Sequence, residues 1–320
     1  MNAKKAVITG ISGQDGAYLS EYLLSKGYEI FGITRSYSSN TTVKLKKLNI
    51  EKQLNIEECD LTDYASVLNL LLKIKPDEIY NLAAQSSVGI SFQQPIGTIQ
   101  FNSISVLNIL EIIRLFLPNT RFYQASSSEM YGNVIDLPIT EKSIYNPASP
   151  YAISKVSSHM MVKLYRESYN IFACNGILFN HESVLRDDNF FIKKLISNAV
   201  KLKSGLLDKI ILGNIDIKRD FGYSPSYVQA MHLMLNHTIA DDFIICSGKS
   251  ILLRDIVNYV FEKLDISLDK LEIDKSLYRP SEIEDIYGDN SKAKQVLNWN
   301  YSMNFFEVID ILIEAEIKNG

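Results

Sequence analysis

The chain has 320 residues, of which 46% are hydrophobic and 22% charged, and its formal net charge is -4. This length suits one large domain or two closely associated ones. The charge balance provides no basic surface of the kind that nucleic-acid binding requires, so we expect no nucleic-acid partner.

The N-terminal stretch MNAKKAVITGISG is apolar for only a few residues, too few for the core of a signal peptide. No run of the sequence approaches the roughly 18 apolar residues of a membrane span. We therefore expect a cytoplasmic protein with no membrane partner.

Cysteine and histidine positions indicate no metal centre. The three cysteines, Cys59, Cys174 and Cys246, lie far apart in apolar segments, which is typical of core packing in a reducing compartment. The four histidines show no spacing typical of metal ligands. The sequence therefore predicts no metal site.

Strand-like and helix-like patterns alternate along the first part of the chain. Short apolar, β-branched runs predict strands, and longer segments with helical apolar spacing predict helices. Because a helix must cross between consecutive parallel strands, the alternation predicts an α/β fold with a Rossmann-type doubly wound parallel sheet. The predicted strands are 6–10, 29–35, 53–59, 78–84, 120–127 and 171–179, and the predicted helices are 13–27, 63–74, 98–116 and 150–169.

The alternation stops after about residue 180, where irregular polar loops and short strands such as IILG and FIICSG separate the helical patterns. We expect residues 1–180 to form the Rossmann domain, with a return segment near 213–248. Residues 181–320 are then a smaller C-terminal α/β lobe for substrate. The helical patterns of this second part lie near 189–204, 225–237, 251–264 and 304–318.

The first strand leads into GISGQDG, a turn with Gly10, Gly13 and Gly16 that opens the first helix. Glycine permits the backbone to turn sharply and to approach a pyrophosphate, whose charge is met by the helix N-terminus. The same spacing also occurs in tight turns that bind nothing. Its place between a strand and a helix of a βαβ unit favours dinucleotide binding.

The second strand ends in GITRSYSSN, which holds Arg35 and several hydroxyl groups but no Asp or Glu. An acidic residue here binds the ribose of NAD, whereas an arginine pairs with the 2′-phosphate of NADP. We therefore expect NADP, with NAD as the alternative, and the other interpretation of Arg35 is a solvated surface charge. Along the same groove we expect contacts to Asp60, Leu61, Leu82, Ala83 and Ala84.

Two stretches in the middle of the chain are suited to acid–base chemistry. SPYAISK places Tyr151 and Lys155 on one face at the start of a helix. A nearby ammonium lowers the pKa of a phenol by favouring phenolate, which makes tyrosine a base for an alcohol. One βα unit earlier, QASSSEMYG sets Glu129 among serines at a strand end, where it is either a base or a cap for the following loop.

Together these motifs resemble those of the extended short-chain dehydrogenases/reductases, and within that group the chain is similar to the GDP-mannose 4,6-dehydratase family. The resemblance covers nearly the whole length. NGILFNHES, KRDFG and YRPSE are far more specific than the shared fold. The other matching stretches are ITGISGQDGAYL, NLAAQSSVGISF, FYQASSSEMYG, SPYAISK and GDNSKAKQVLNW.

The resemblance implies 4,6-dehydration of a GDP-sugar, most directly GDP-mannose. In that mechanism Tyr151, assisted by Lys155, takes the proton from the sugar O4 while hydride leaves C4 for NADP, and Ser127 hydrogen-bonds the same oxygen. Glu129 then removes the C5 proton and protonates the departing 6-hydroxyl. Hydride returns to C6, and the product is a 4-keto-6-deoxy sugar.

Matching positions imply binding roles as well. Arg219 of KRDFG and Arg279 of YRPSE pair with the diphosphate, since a guanidinium fork suits phosphate oxygens, and Glu282 reaches the ribose. The other residues matched to the nucleotide sugar are Gln85, Ser87, Asn180, Asn189, Phe190 and Lys194, besides Ser127 and Glu129. The further residues matched to the cofactor are Gln14, Asp15, Leu178, His181 and Arg186, besides Tyr151 and Lys155.

The chain departs from the family pattern near the sugar. Ser127 replaces threonine and keeps the hydroxyl, whereas Ser87 replaces a histidine and leaves the identity of the hexose open. GDP-manno-heptose and GDP-N-acetylglucosamine are therefore alternative substrates. A non-catalytic nucleotide-sugar-binding protein is the alternative from another class, but a binding protein has no need of all four catalytic residues.

For assembly, the resemblance implies a homodimer or a homotetramer. In relatives the loop P-R-R-G helps to build a tetramer near the cofactor phosphate, but this chain has Val184-Leu185-Arg186-Asp187 there. One arginine fewer argues against the tetramer and, more weakly, against NADP. The dimer of this superfamily uses the helices near 100–116 and 150–169.

Overall fold

A computed structural model describes residues 3–36 and 41–319 of the chain. The strands are β1 (Lys5–Thr9), β2 (Glu29–Thr34), β3 (Asn55–Glu58), β4 (Glu78–Asn81), β5 (Arg121–Ser127), β6 (Ala173–Leu178), β7 (Asn180–Glu182), β8 (Ile210–Leu212), β9 (Lys218–Tyr223), β10 (Asp242–Ile245), β11 (Ser250–Leu252) and β12 (Leu271–Ile273). The helices are α1 (Gln14–Ser25), α2 (Val43–Lys47), α3 (Tyr64–Ile74), α4 (Val88–Gln93), α5 (Pro95–Phe116), α6 (Pro150–Tyr169), α7 (Phe191–Lys203), α8 (Ser224–Leu235), α9 (Leu253–Lys263), α10 (Ser291–Leu297) and α11 (Phe305–Asn319).

Seven of the described strands form one sheet in the order β3-β2-β1-β4-β5-β6-β10. Every neighbouring pair in it is parallel. The chain moves outward from β1 to β3 and then returns to β4 on the other side of β1. Loops after β1 and β4 therefore diverge and leave a crevice at the carboxyl ends of these strands. The Rossmann-type fold predicted from the sequence is confirmed.

Helices cover both faces of this sheet, and each face has its own apolar core. On one face α1, α8 and α10 bury side chains such as Leu19, Met231 and Leu297. On the other face α3, α5 and α6 bury side chains such as Leu71 and Ile109. Cys59, Cys174 and Cys246 are buried free thiols, which confirms their predicted role in core packing.

Hydrogen-bonded ends explain why two of the long predicted helices start where the sequence placed them. Asp63 accepts the N–H of Ala65 at the start of α3, and Ser149 accepts the N–H of Ala152 at the start of α6. The α6 helix then ends at Asn170, whose φ of 56° is left-handed. Such side chains satisfy backbone groups that a helix end leaves without partners.

Among the described residues, α5 is one helix whose length and mean hydropathy are sufficient to cross a membrane. The sequence analysis did not identify this helix, because polar residues interrupt its apolar ones and no uninterrupted apolar run of that length occurs. Half of its most apolar window is buried inside the fold. Its polar side chains have internal partners, because Asn102 donates to Ser154 Oγ at 2.9 Å and Asn108 donates to Leu61 O at 3.0 Å.

Smaller sheets lie beyond the main one. Strand β9 pairs in parallel with β7 and in antiparallel with β11, and β8 pairs in parallel with β12. Helices α7, α9 and α11 pack around a separate core that includes Ile196, Val257 and Ile309. Strand β10 returns to the main sheet beside β6. The division at residue 180 with a return segment near 213–248 stays a prediction.

Several short elements were not predicted from the sequence, namely α2, α4, α10, β7, β9, β11 and β12. Strand β9 shows why, because it carries the charged residues Arg219 and Asp220, which are nevertheless buried. Asp220 accepts hydrogen bonds from Ser247 and from the N–H of Gly248. These partners are far from Asp220 in the sequence, so no local sequence pattern predicts the strand.

The turn after β1 offers a test of close packing. An alanine at position 16 would place its Cβ 2.3 Å from Gly10 O, a backbone atom. We expect Gly16→Ala to lower the free energy of unfolding by about 1–3 kcal/mol, as overpacking does, in urea denaturation. The control is Gly97→Ala on α5, where a Cβ meets nothing within 4 Å and helix propensity adds up to about 1 kcal/mol. Equal effects of the two substitutions would contradict this account.

Candidate active site

The carboxyl ends of three strands are tied together by Thr9. Its hydroxyl accepts the N–H groups of Leu82 and Ala83, each at 3.1 Å. It donates to Asn81 Oδ1 at 2.6 Å, and Asn81 Nδ2 donates to Gln124 Oε1 of β5 at 2.8 Å. Because Thr9, Asn81 and Gln124 are buried, water does not compete for these bonds. They hold β1, β4 and β5 in register at the crevice.

The glycine turn between β1 and α1 has room for little but backbone. Gly10 has a φ of +70°, and a Cβ there would lie 2.9 Å from Ala83 N. Gly13 donates its N–H to Gly10 O at 2.9 Å and occupies the N-cap of α1 without a side-chain cap. This arrangement suits a pyrophosphate, which accepts the first N–H groups of a helix.

The side chains of Gln14 and Asp15 point toward the segment that follows β6. Gln14 Nε2 donates to His181 O at 3.1 Å, and Gln14 Oε1 accepts from Ser183 Oγ at 2.7 Å. Asp15 accepts from Ser224 Oγ at 2.7 Å and lies 2.8 Å from His181 Nε2. These two residues therefore link α1 to β7 and α8, and their predicted contact with the cofactor stays a prediction.

Asp15 and His181 form a buried ion pair. Burial alone raises the pKa of the Asp15 carboxyl, but the His181 charge and hydrogen bonds reverse this and hold it well below its usual range. Burial lowers the pKa of His181, but Asp15 raises it above its usual value overall. The other ring nitrogen, Nδ1, faces Phe179 O at 2.7 Å. With an acceptor at each nitrogen, the ring favours the protonated form.

Residues predicted for the adenosine end of the cofactor line the same edge of the sheet. Arg35 is exposed. Hydrogen bonds from Thr62 lower the pKa of Asp60, and the positive charge of Arg35 lowers it further. Leu61 is buried beside Asp60. The hydroxyl groups of residues 37–39, which supported NADP together with Arg35, lie outside the described residues. Next to the glycine turn, Leu82, Ala83 and Ala84 follow β4 and are partly buried.

Ser127, Tyr151 and Lys155 come together where β5 ends and α6 begins. Each is less than one-tenth exposed. Lys155 Nζ donates to Ala125 O of β5 at 2.8 Å and lies 5.7 Å from the centroid of the Tyr151 ring. Lys155 thus binds the strand that carries Ser127 while it lies beside the phenol.

Burial dominates the ionisation of this pair. It raises the pKa of Tyr151 to about 12, a hydrogen bond with Ser127 and the charge of Arg186 oppose the rise, and the Glu129 charge adds to it. Burial lowers the pKa of Lys155 to about 8. In the protein alone burial therefore raises the pKa of Tyr151 instead of lowering it, and the expected assistance from Lys155 stays a prediction.

Glu129 lies in a short 3-10 helix, Ser128–Tyr131, directly after β5. Its N–H donates to Ser127 Oγ at 3.2 Å, so the backbone holds the two candidate catalytic residues side by side. The carboxylate is not unpaired, because Glu129 Oε1 lies 3.6 Å from Arg279 Nη1. Its side chain is 16% exposed, so burial of the carboxylate is not complete.

Glu282 connects the two arginines that were matched to a diphosphate. Its Oε1 atom lies 4.0 Å from Arg219 Nη2 and 3.9 Å from Arg279 Nε. Arg219 is buried and donates from Nη1 to Lys218 O at 2.7 Å and to Ile283 O at 2.6 Å. Burial lowers the pKa of Arg219, and the nearby Glu129 charge opposes this shift. Their binding roles stay predictions.

The loop after β4 holds two more residues matched to the sugar. Gln85 Nε2 donates to Ser87 O at 3.0 Å and to Thr98 Oγ1 at 3.1 Å. Ser87 Oγ accepts the N–H of Ile90 at 3.3 Å and so caps α4. The serine that replaces the family's histidine therefore has a structural use, and its contact with the hexose stays a prediction.

The remaining predicted residues lie around β6, β7 and the start of α7. Leu178 is buried at the end of β6, and Asn180 of β7 donates to Asp220 O at 3.4 Å. The guanidinium of Arg186 lies 3.5 Å from the centroid of the Phe190 ring. Asn189 and Lys194 are exposed.

Two buried groups near the site were not singled out from the sequence. Glu182 is buried beside Arg186 at 3.5 Å, and burial raises the pKa of its carboxyl. Behind β5, His159 lies 3.0 Å from Ser126 Oγ and 2.9 Å from Tyr145 OH. One signal for His159 was available, since it follows Lys155 by one helical turn on the same face of α6.

Comparisons with known proteins agree with this geometry. The family model described as GDP-mannose 4,6 dehydratase matches residues 7–312. GDP-mannose 4,6 dehydratase 2 from Arabidopsis thaliana is 39% identical over 98% of this chain and 87% of its own length. The GDP-mannose 4,6 dehydratase of Homo sapiens is 38% identical over 98% of this chain and 91% of its own length.

Solved structures share the fold at lower identity. DesIV, a dTDP-glucose 4,6-dehydratase from Streptomyces venezuelae with NAD bound, has a TM-score of 0.88 and 18% identity over 98% of this chain and 97% of that one. RMD from Pseudomonas aeruginosa, complexed with NADPH, has a TM-score of 0.83 and 22% identity over 99% of this chain and 100% of that one. Because the family model and the relatives match nearly the whole length, this chain belongs to the GDP-mannose 4,6-dehydratase family.

Proposed function

We propose that this protein is a nucleotide-sugar 4,6-dehydratase that converts GDP-mannose to GDP-4-keto-6-deoxymannose. The observation that carries the proposal is the carboxylate of Glu129, held next to Ser127 at the same strand end as Tyr151. A reductase or epimerase of this fold needs the tyrosine and lysine but no base there. Membership of the family supports the same substrate.

The first half of the reaction is oxidation at C4 of the sugar. Tyr151 takes the proton of the 4-hydroxyl, and Ser127 holds that oxygen with a hydrogen bond. A nicotinamide, when bound, supplies the hydride acceptor for C4 and later the hydride donor for C6. Since burial disfavours phenolate, the cations near Tyr151 must lower the cost of ionising it, and Lys155 and Arg186 are the protein cations at hand.

The second half is elimination of water. A ketone at C4 makes the C5 proton acidic, so a carboxylate is a sufficient base. Glu129 removes that proton and donates it to the departing 6-hydroxyl, which leaves as water and restores the carboxylate. The later transfer of a hydride to C6 and a proton to C5 completes a reaction with no net redox change.

The same proposal assigns the binding residues. The pyrophosphate of the cofactor lies on the turn of Gly10, Gly13 and Gly16, within the segment 1–180. The GDP moiety lies against the C-terminal lobe, residues 181–320. Its predicted partners are Asn180, at the boundary with that lobe, and Asn189, Phe190, Lys194, Arg219, Arg279 and Glu282 within it.

For the cofactor we propose NADP rather than NAD. Arg35 supports it, since it is an exposed cation at the end of β2, where no acidic residue follows. Related folds do not decide the matter, because DesIV has NAD bound and RMD has NADPH.

A homodimer is the assembly that we propose. Helices α5 and α6 pack side by side, and Ile153, Met160 and Leu164 form an exposed apolar stripe along α6. Such a stripe on a long helix is typical of an interface. Leu185, at a position where relatives use an arginine for a tetramer, is buried in this chain's own core, and this favours the dimer.

The function is tested by incubating the purified chain with GDP-mannose and following loss of water by mass spectrometry. GDP-manno-heptose, GDP-N-acetylglucosamine and dTDP-glucose serve as competing substrates. We expect GDP-mannose to be dehydrated fastest. If none of the four nucleotide sugars gives a product, the proposed enzymatic activity is rejected. The alternative, a non-catalytic nucleotide-sugar-binding protein, would then be favoured.

Glu129→Gln separates the two halves of the reaction. We expect this variant to reduce the bound cofactor on addition of GDP-mannose, seen as nicotinamide absorbance, but to lose at least about a hundredfold in dehydration, as general-base removal does. Glu284→Gln, at an exposed carboxylate of the C-terminal lobe, is the control and should keep full activity. Normal dehydration by Glu129→Gln would show that another group is the base.

Arg35→Gln tests the cofactor. We expect it to weaken NADP binding about tenfold, as loss of a charged hydrogen bond does, while NAD binding is unchanged. Lys46→Gln removes an exposed charge on α2 and should change neither affinity. Calorimetric titration measures both, and equal losses for NADP and NAD in Arg35→Gln would refute a 2′-phosphate contact.

Leu164→Asp tests the dimer. A charge in the middle of the α6 stripe should convert a species of twice the chain mass into monomer, measured by light scattering after gel filtration. Leu206→Asp, at an exposed apolar residue after α7, is the control and should remain dimeric. A wild-type monomer, or a Leu164→Asp dimer, would contradict the proposed interface.

A further inference from the structure

Four charged side chains meet where the end of β5 faces the loop that contains Arg279. Two are carboxylates, Glu129 and Glu282, and two are guanidiniums, Arg219 and Arg279. Each of their ion pairs is 3.6–4.0 Å long, beyond hydrogen-bond distance. The four charges are therefore close together, but these contacts do not use the donors and acceptors of the side chains in hydrogen bonds.

The two arginines differ in how firmly they are held. Arg219 is 5% exposed and donates to two backbone carbonyls, which fixes its position. The Arg279 side chain is 38% exposed, and its contacts in the described chain include the ion pairs with Glu129 and Glu282. Long and loosely paired, Arg279 is the member of the cluster that can change partners at low cost.

The pairing has a chemical consequence for Glu129. Its Oε1 atom faces Arg279 Nη1 at 3.6 Å, so the guanidinium lies against one of the two oxygen atoms that the proposed base would use. A diphosphate is a stronger partner for the same guanidinium, because it carries more charge and offers more oxygen atoms in a geometry that a fork of donors fits. Both acceptors cannot hold Arg279 fully at the same time.

We propose that Arg279 exchanges partners, leaving the Glu129 carboxylate for the diphosphate of the nucleotide sugar. The nucleotide end of the substrate thereby releases the base that acts on its sugar end. This inference rests on the proposed function and extends it, since it makes elimination depend on correct placement of the nucleotide.

Linkage makes the exchange measurable without any reaction. If the diphosphate must take Arg279 from Glu129, then the Glu129 charge opposes binding of GDP, although GDP has no hexose to contact Glu129. Removing that charge should strengthen GDP binding. The expected gain is about two- to fivefold, the range for a partly exposed ion pair.

Isothermal titration with GDP compares wild type, Glu129→Gln, Arg279→Gln and the double variant. We expect Glu129→Gln to bind GDP more tightly than wild type, and we expect the gain to vanish when Arg279 is already glutamine. A second substitution, Glu129→Asp, shortens the side chain and should give a smaller gain, which keeps the test valid if Glu129→Gln is unstable. Thermal unfolding identifies any unstable variant.

Two controls separate partner exchange from other effects of charge. Asp285→Asn removes a carboxylate from the same loop that pairs with Lys218 at 3.7 Å, and it should leave the affinity for GDP nearly unchanged. Guanosine has no phosphate, so wild type and Glu129→Gln should bind it equally.

The proposal is overturned by an unchanged GDP affinity in Glu129→Gln, by a gain that persists with Arg279→Gln, or by an equal gain in Asp285→Asn or with guanosine. These outcomes differ from failure of the proposed function. If GDP does not bind wild type and no GDP-sugar is dehydrated, the function itself is wrong.

Discussion

The buried hydroxyl of Thr9 is the constraint on which the site depends. It joins the ends of β1 and β4 at the point where their connections diverge, and Asn81 extends the link to Gln124 of β5. Gly10 can then approach Ala83 closely only because it has no side chain. The helix N-terminus, the groove after β4 and the strand β5 that carries Ser127 are thereby fixed relative to one another before any ligand contributes.

Burial sets the electrostatics of the catalytic edge. Desolvation raises the pKa of Tyr151 and lowers that of Lys155, so it favours the neutral form of both groups. A site arranged in this way resists ionisation until further positive charge approaches the phenol. In the proposed reaction, proton removal from the sugar would therefore need a further cation near the phenol besides Lys155.

Contacts between distant segments join the glycine turn to the segments that follow β6 and β9. Asp15 of α1 binds His181 and Ser224, so the start of the glycine-turn helix is anchored to the segments that lead into the smaller sheets. A second such contact joins Arg279 to Glu129 at 3.6 Å. Both contacts therefore join segments that are far apart in the sequence to residues predicted to act in the site.

Local patterns in the sequence determined the parallel sheet, the glycine turn, the bounds of α3 and α6, and the pairing of Tyr151 with Lys155, because each depends on periodicity or on neighbours within a few residues. Only the tertiary structure decided that β9 buries Arg219 and Asp220, that Asp15 forms an ion pair with His181, and that Glu129 is paired with Arg279. Such partners are far apart in the chain, and the balance between burial and charge that governs them exists only once the fold has brought them together.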